Sequence, residues 1–125
     1  MTKYLTNIIN ILDIYKKKSK KSEVVSQMIY GDSFSILKKN KQWIKIKTKE
    51  DKYKGYIQNK NYSKYIKPTH KISVLKAKVY KSPNKNKKIY ELSFNSKIKV
   101  LSTNNKFLKF YQGWIDKKQV KPINY

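Results

Sequence analysis

The sequence repeats itself once. When residues 28–66 are slid forward by 64 positions, Phe34 falls on Ile98, Ile36 on Val100 and Leu37 on Leu101. Trp43 then falls on Phe107, Ile44 on Leu108 and Ile46 on Phe110. A Gly-aromatic-Ile tripeptide closes each copy, Gly55-Tyr56-Ile57 in the first and Gly113-Trp114-Ile115 in the second. The offset between the tripeptides is 58 rather than 64, so the first copy carries six extra residues just ahead of its tripeptide. An insertion confined to one polar stretch is what a surface loop tolerates while its flanking elements keep their register. Two copies of one small unit are therefore expected, and self-similarity of this kind fixes architecture before any other signal.

Within each copy the apolar residues alternate with a period of two. Trp43-Ile44-Lys45-Ile46-Lys47-Thr48 puts Ile44 and Ile46 on one face and the lysines on the other, the pattern of a half-buried strand. Phe34-Ser35-Ile36 and Ile98-Lys99-Val100 read the same way. Lys39-Asn40-Lys41 and Thr103-Asn104-Asn105 supply turns between them, since asparagine tolerates left-handed backbone. Upstream, Leu12-Asp13-Ile14-Tyr15 opens the first unit, and Val74-Leu75 followed by Ala77-Lys78-Val79-Tyr80 opens the second. Glu23 to Tyr30 and Ile89 to Leu92 lead into the hairpins. Thr2 to Leu12 is the one stretch with any helical claim, which its asparagines and isoleucines weaken. Short strands with closely spaced turns predict an all-β chain of two small barrels, residues 1–67 and 68–125, joined at Lys67-Pro68-Thr69. Units of this size lie near the lower limit for a self-sufficient core.

The formal net charge is +24, and all 31 basic residues are lysine. Arginine is the preferred residue for bidentate phosphate and guanine recognition, so its absence argues against nucleic acid as the partner. Lys, Ile, Asn and Tyr make up about half of the chain, the bias of an AT-rich genome. The lysines are spread along both units, and the one dense run, Lys16-Lys17-Lys18-Ser19-Lys20-Lys21, reads as a solvated loop. Without cysteine there is neither a disulfide nor a thiolate metal site. Residues 1–12 lack the continuous apolar core and cleavage site of a signal peptide. No apolar run approaches the roughly 20 residues of a spanning helix. The expected location is the cytoplasm, with no membrane partner.

Ser22-Glu23-Val24-Val25-Ser26-Gln27-Met28-Ile29-Tyr30-Gly31-Asp32 resembles the "S-Q-x-L-Y-G-E" signature of the bacterial SH3-like domain that precedes the catalytic domain of NlpC-type murein cysteine peptidases, the bacterial dipeptidyl-peptidase group. Asp51-Lys52-Tyr53-Lys54-Gly55-Tyr56-Ile57 is similar to that family's "D-G-Y-x-G-Y-V". In the second unit Pro68-Thr69-His70-Lys71-Ile72-Ser73-Val74-Leu75 resembles its "P-T-H-R-V-x-x-L" link, and Gly113-Trp114-Ile115 with Pro122 resembles its closing "G-G-W-V…P". The resemblance implies two SH3-like barrels in tandem, followed in the full enzymes by a domain that cuts the γ-D-glutamyl–diamino-acid bond with a Cys nucleophile and a His base. The first SH3-like domain of those enzymes helps wall the substrate cleft and recognise the free amine of the peptide's L-alanine.

A cysteine peptidase needs a thiolate with an adjacent base, and these 125 residues hold no cysteine. The sole histidine, His70, falls at the link position and is expected to tie the link to a barrel. No Ser-His-Asp set, phosphate loop or metal-spaced carboxylate cluster is legible, so the expectation is a non-catalytic module without metal or cofactor. Its expected partners are murein peptide and an NlpC-type catalytic domain in the same or another chain; the alternative is a basic small-barrel protein binding nucleic acid or another polyanion. The resemblance carries two substrate-binding positions over to Asp32 and Tyr53. An acid beside a phenolic hydroxyl suits an ammonium group. Each also has a purely structural reading, Asp32 as a turn cap and Tyr53 as loop packing. Trp43, Tyr56 and Trp114 read as packing residues before ligand platforms.

Overall fold

A computed structural model describes residues 2–124. Its contacts divide the chain into two compact units, Met1–Ile66 and Lys67–Tyr125. The first holds strands β1 (Tyr4–Thr6), β2 (Ile11–Tyr15), β3 (Val24–Ile29), β4 (Ser33–Lys39), β5 (Trp43–Thr48), β6 (Lys54–Gln58) and β7 (Ser63–Lys64). They form one antiparallel sheet in the order β3-β2-β6-β5-β4-β1-β7. One core lies beneath it, built from Leu12, Ile14, Met28, Phe34, Ile44, Ile46 and Ile57. Two register irregularities, at Ile14/Tyr15 and at Ile36/Lys38, bend the sheet as bulges do in small barrels. The unit is an SH3-like small barrel, and the chain is nearly all β.

The second unit holds β8 (His70–Ile72), β9 (Lys76–Tyr80), β10 (Lys88–Ser93), β11 (Lys97–Ile98), β12 (Ser102–Asn104), β13 (Phe107–Phe110), β14 (Gly113–Asp116) and β15 (Val120–Pro122). A five-stranded sheet runs β10-β9-β14-β13-β12, and a three-stranded sheet runs β11-β8-β15. Ile72, Val79, Leu92, Ile98, Phe110 and Ile115 are fully buried. A 3-10 turn at Lys117–Gln119 connects β14 to β15, its first amides capped by Asp116, whose Oδ1 accepts from the Lys118 amide at 2.9 Å.

The repeat seen in the sequence is a repeat of strand register. In the first unit Ile44 faces Ile57, Lys45 faces Tyr56 and Ile46 faces Gly55. In the second, Leu108 faces Ile115, Lys109 faces Trp114 and Phe110 faces Gly113. The side chains of Ile44, Ile46, Leu108 and Phe110 are all buried. The extra residues of the first copy lengthen this hairpin: β5 continues to Thr48 and β6 starts at Lys54, whereas β13 stops at Phe110 and β14 starts at Gly113.

Both tripeptide glycines answer one steric demand. A Cβ on Gly55 would collide with Ile14 Cγ2 and approach the Tyr15 carbonyl oxygen to 3.1 Å. On Gly113 it would meet Val79 Cγ1 and the Tyr80 carbonyl oxygen, both at 2.8 Å. The strand that pairs alongside the hairpin in each unit, β2 or β9, therefore requires a neighbour without a side chain at that point.

Three local expectations fail. Thr2 to Leu12 contains no helix; it forms β1 and the start of β2, because Tyr4, Leu5 and Thr6 pair with Ser35, Phe34 and Ser33. Tertiary pairing overrides a weak local preference. Val74 and Leu75 lie outside any strand, and Leu75 is 83% exposed. Ile98-Lys99-Val100 does not form one strand like its counterpart in β4. The chain breaks after Ile98, where the Val100 amide donates to Thr69 Oγ1 at 2.9 Å and the Leu101 amide to the Lys109 carbonyl at 2.7 Å.

Candidate functional site

The turn Tyr30-Gly31-Asp32 joins β3 to β4. Gly31 has φ 90°, a left-handed value that a residue with a side chain resists. Its amide donates to the Asn7 carbonyl at 2.8 Å, and the Asn7 amide donates to the Asp32 carbonyl at 2.8 Å. The Asp32 carboxylate accepts the Ile29 amide through Oδ2 at 2.9 Å, so this half-buried acid does cap its own turn. Asn7 is fully buried; its side-chain amide donates to the carbonyls of Ile9 and Ile29, at 2.8 and 3.1 Å, and its Oδ1 accepts the Ile9 amide at 3.0 Å. Sequence reading treats Asn7 only as an interruption of an apolar stretch. Its signal was a lone amide among Leu5, Ile8 and Ile9, where a buried polar group needs its full set of partners.

Tyr53 ends the loop between β5 and β6. Its amide donates to Thr48 Oγ1 at 2.8 Å, and the Thr48 amide donates to the Tyr53 carbonyl at 2.9 Å. Lys52, which stands where the similar family motif has glycine, adopts φ 54° to close the loop. The Lys49 amide donates to the Ser33 carbonyl at 2.9 Å, and Phe34 faces Thr48 across the ladder. The Asp32 turn and the Tyr53 loop are thus brought to the same end of the β4–β5 ladder. Tyr53 is 42% exposed there.

The aromatic residues take a middle position between core and platform. Trp43 and Tyr56 are half-buried on the outward face, Trp43 meeting Tyr15 edge-on with ring centroids 5.6 Å apart. The Lys45 ammonium lies 6.0 Å from the Tyr56 ring centre, and in the second unit Lys109 lies 5.8 Å from that of half-buried Trp114. Tyr62 is a core contributor of the first unit, edge-on to Phe34 at 5.3 Å with its hydroxyl donating to the Gln58 carbonyl at 2.7 Å. Burial pushes its phenol up to about 12.

His70 opens β8 and pairs with Ile98 and Pro122 on its two sides. Its Nδ1 lies 2.8 Å from Thr69 Oγ1, the same hydroxyl that accepts the Val100 amide. Burial holds the imidazole below its ordinary range. The knot ties the start of the second unit to the break between β11 and β12. Among the described residues no cluster of three or more His, Asp or Glu side chains has the placement of a metal site.

Both site positions, together with Trp43, Gly55 and Tyr56, fall in the one segment that matches a family model. Residues 14–61 match the bacterial dipeptidyl-peptidase SH3 domain. This SH3 domain is a non-catalytic module, and it accounts for the first unit from Ile14 in β2 to Asn61 beyond β6. Asn7 lies ahead of the matched SH3 segment, yet it fastens the turn that carries Asp32. An NlpC/P60 family protein from Bacillus cereus superposes with a TM-score of 0.75 over 94% of this chain and 55% of its own, at 13% identity. At that identity the likeness speaks for the fold. NlpC2 and NlpC1 from Trichomonas vaginalis each give a TM-score of 0.41 at 16% identity, covering 96% of this chain and 47% and 45% of theirs. The chain spans about half the length of these solved structures. No curated protein matches it.

Proposed function

We propose that the first unit binds the free amino end of a murein peptide and positions it for an NlpC-type cysteine peptidase domain, in the same polypeptide or in a partner chain. The observation that carries this reading is the convergence of Asp32 and Tyr53 on one end of the β4–β5 ladder, inside the SH3 segment. The Asp32 carboxylate caps the turn through Oδ2, and a carboxylate can accept more than one hydrogen bond, which suits an ammonium donor. The phenolic hydroxyl of Tyr53 adds a second polar contact on an exposed loop. The reaction itself belongs to the peptidase domain, because these 125 residues contain no thiol nucleophile. Murein peptide recycling in the cytoplasm is the setting this reading implies.

Two such contacts are worth about 2–4 kcal/mol net of solvent exchange, which corresponds to binding around the millimolar range. Titration of the isotopically labelled chain with L-Ala-γ-D-Glu-diaminopimelate and with its N-acetylated form tests the proposal by NMR. The expected result is shifts centred on Asp32 and Tyr53 for the free amine, and their loss on acetylation. Equal shifts for both peptides, or shifts confined to the second unit, overturn it.

A further inference from the structure

Strand β4 outruns the neighbour that should cover its edge. On one side it is paired along its length, from Phe34↔Thr48 to Lys39↔Ile44. On the other, pairing with β1 ends at Tyr4↔Ser35, and among the described residues no strand pairs with 36–39 on that side. A run of unpaired backbone groups on a sheet edge is a template for another strand.

The same stretch is bulged, and the bulge shapes its surface. Ile36 faces Ile46 and Lys38 faces Lys45, so Leu37 is the additional residue. Ile36 and Leu37 remain 37% and 47% exposed. Both line a groove of about 890 Å³ that also meets Tyr4 and Leu5. Five lysines ring it, Lys3, Lys39, Lys47, Lys49 and Lys52, and among the described residues no carboxylate lines it. The loop's acids, Glu50 and Asp51, lie outside the lining. The groove is thus an apolar strip beside an open strand edge inside a positive rim.

The feature belongs to the first unit alone. The repeat register sets Ile36 and Leu37 on Val100 and Leu101, but there the strand is broken and the Val100 amide is taken by Thr69 Oγ1.

We propose that this groove binds an extended acidic peptide segment of a partner protein, which adds a strand to residues 36–39 of β4. Main-chain hydrogen bonds supply register, alternate apolar side chains cover Ile36 and Leu37, and intervening carboxylates meet the lysines. Nucleic acid fits the groove less well. A phosphodiester backbone does not reciprocate a strand edge, and Tyr4, the one aromatic in the lining, already has the Lys49 ammonium 5.4 Å from its ring centre. The inference does not rest on murein-peptide recognition at Asp32 and Tyr53, although the groove shares Thr48, Lys49 and Lys52 with the strand end and loop that carry Tyr53.

The test uses the full labelled chain and an N-acetylated, C-amidated peptide of alternating glutamate and valine, with a glutamine-valine counterpart and a uridine oligonucleotide as comparisons. The expected result is amide shifts concentrated at residues 3–5 and 35–39, and affinity at least roughly tenfold higher for the glutamate peptide than for the glutamine one. The double variant Lys39→Glu, Lys49→Glu, exposed at both positions and checked for an unchanged melting temperature, should lose at least roughly the same factor. Shifts centred elsewhere, equal affinity for the two peptides, or unaltered binding by the double variant overturn the proposal. Displacement of the peptide by the oligonucleotide with tighter, steeply salt-dependent binding overturns it in favour of nucleic acid.

Discussion

Asn7 and Asp32 are joined by a 2.8 Å hydrogen bond from the amide of the first to the carbonyl of the second, across 25 residues of chain. The link is doubled, because the Gly31 amide returns to the Asn7 carbonyl at 2.8 Å, and tripled by the Asn7 side chain on the Ile29 carbonyl at 3.1 Å. A fully buried asparagine therefore sets the position of the turn from which Asp32 projects.

Replacing this residue, Asn7→Ala, takes the side-chain partner from both the Ile9 amide and the Ile9 carbonyl, while the Ile29 carbonyl keeps the Asp32 amide at 3.1 Å. The expected loss is at least about 2 kcal/mol of unfolding free energy, since each buried polar group left unpaired costs on the order of 1–3 kcal/mol. Urea denaturation of the variant measures it. Asn7→Leu should be no better, because the same backbone groups lose the same partners.

The two glycines make a paired prediction. Gly55→Ala and Gly113→Ala each drive a methyl group against the neighbouring strand, Ile14 in one unit and Val79 and the Tyr80 carbonyl in the other. Overpacking of this kind costs about 1–3 kcal/mol. Each substitution should loosen its own unit first, seen as faster hydrogen exchange in β2 and β6 for Gly55→Ala and in β9 and β14 for Gly113→Ala.

Tyr62 should ionise well above the ordinary phenol range. Its pKa is raised to about 12 by burial, so the neutral form is favoured in the folded state. The contribution is intact below the ordinary phenol value near 10 and is lost as pH rises from there through about 12. Absorbance titration near the phenolate band should lose a step near 12 in Tyr62→Phe. That variant also leaves the Gln58 carbonyl without its 2.7 Å donor, at a cost of about 1 kcal/mol.

His70 works in the opposite pH range. Burial lowers its pKa, so below the ordinary imidazole value near 6.5 the unfolded chain takes up a proton more readily than the folded one. Stability of the second unit is therefore full at neutral pH and declines as pH falls from about 7 toward 5. The decline should be smaller in His70→Gln, whose side chain does not titrate. Denaturation midpoints followed by the resonances of residues 70–72 across that range check the sign, and an identical slope for both proteins would exclude the mechanism.

Sequence alone determined the period-two strands, the repeat, and the buried faces at Ile44, Ile46, Leu108 and Phe110, because strand periodicity and hydrophobic burial are local properties of the chain. The motif order also pointed to the SH3 domain that residues 14–61 match. Three further features needed the tertiary structure. Residues 4–6 and 11–12 are strand because β4 and β3 lie beside them, which no local propensity expresses. The counterpart of β4 in the second unit breaks after Ile98 because Thr69, 31 positions earlier than Val100, offers its hydroxyl to the amide there. Asp32 and Tyr53 share one end of a ladder because Lys49 bonds to Ser33 and Thr48 bonds to Tyr53, contacts made only when two strands pair. The alternation of apolar and polar residues is written in the chain, whereas the partner of each backbone group is chosen by whichever segment folding brings alongside it.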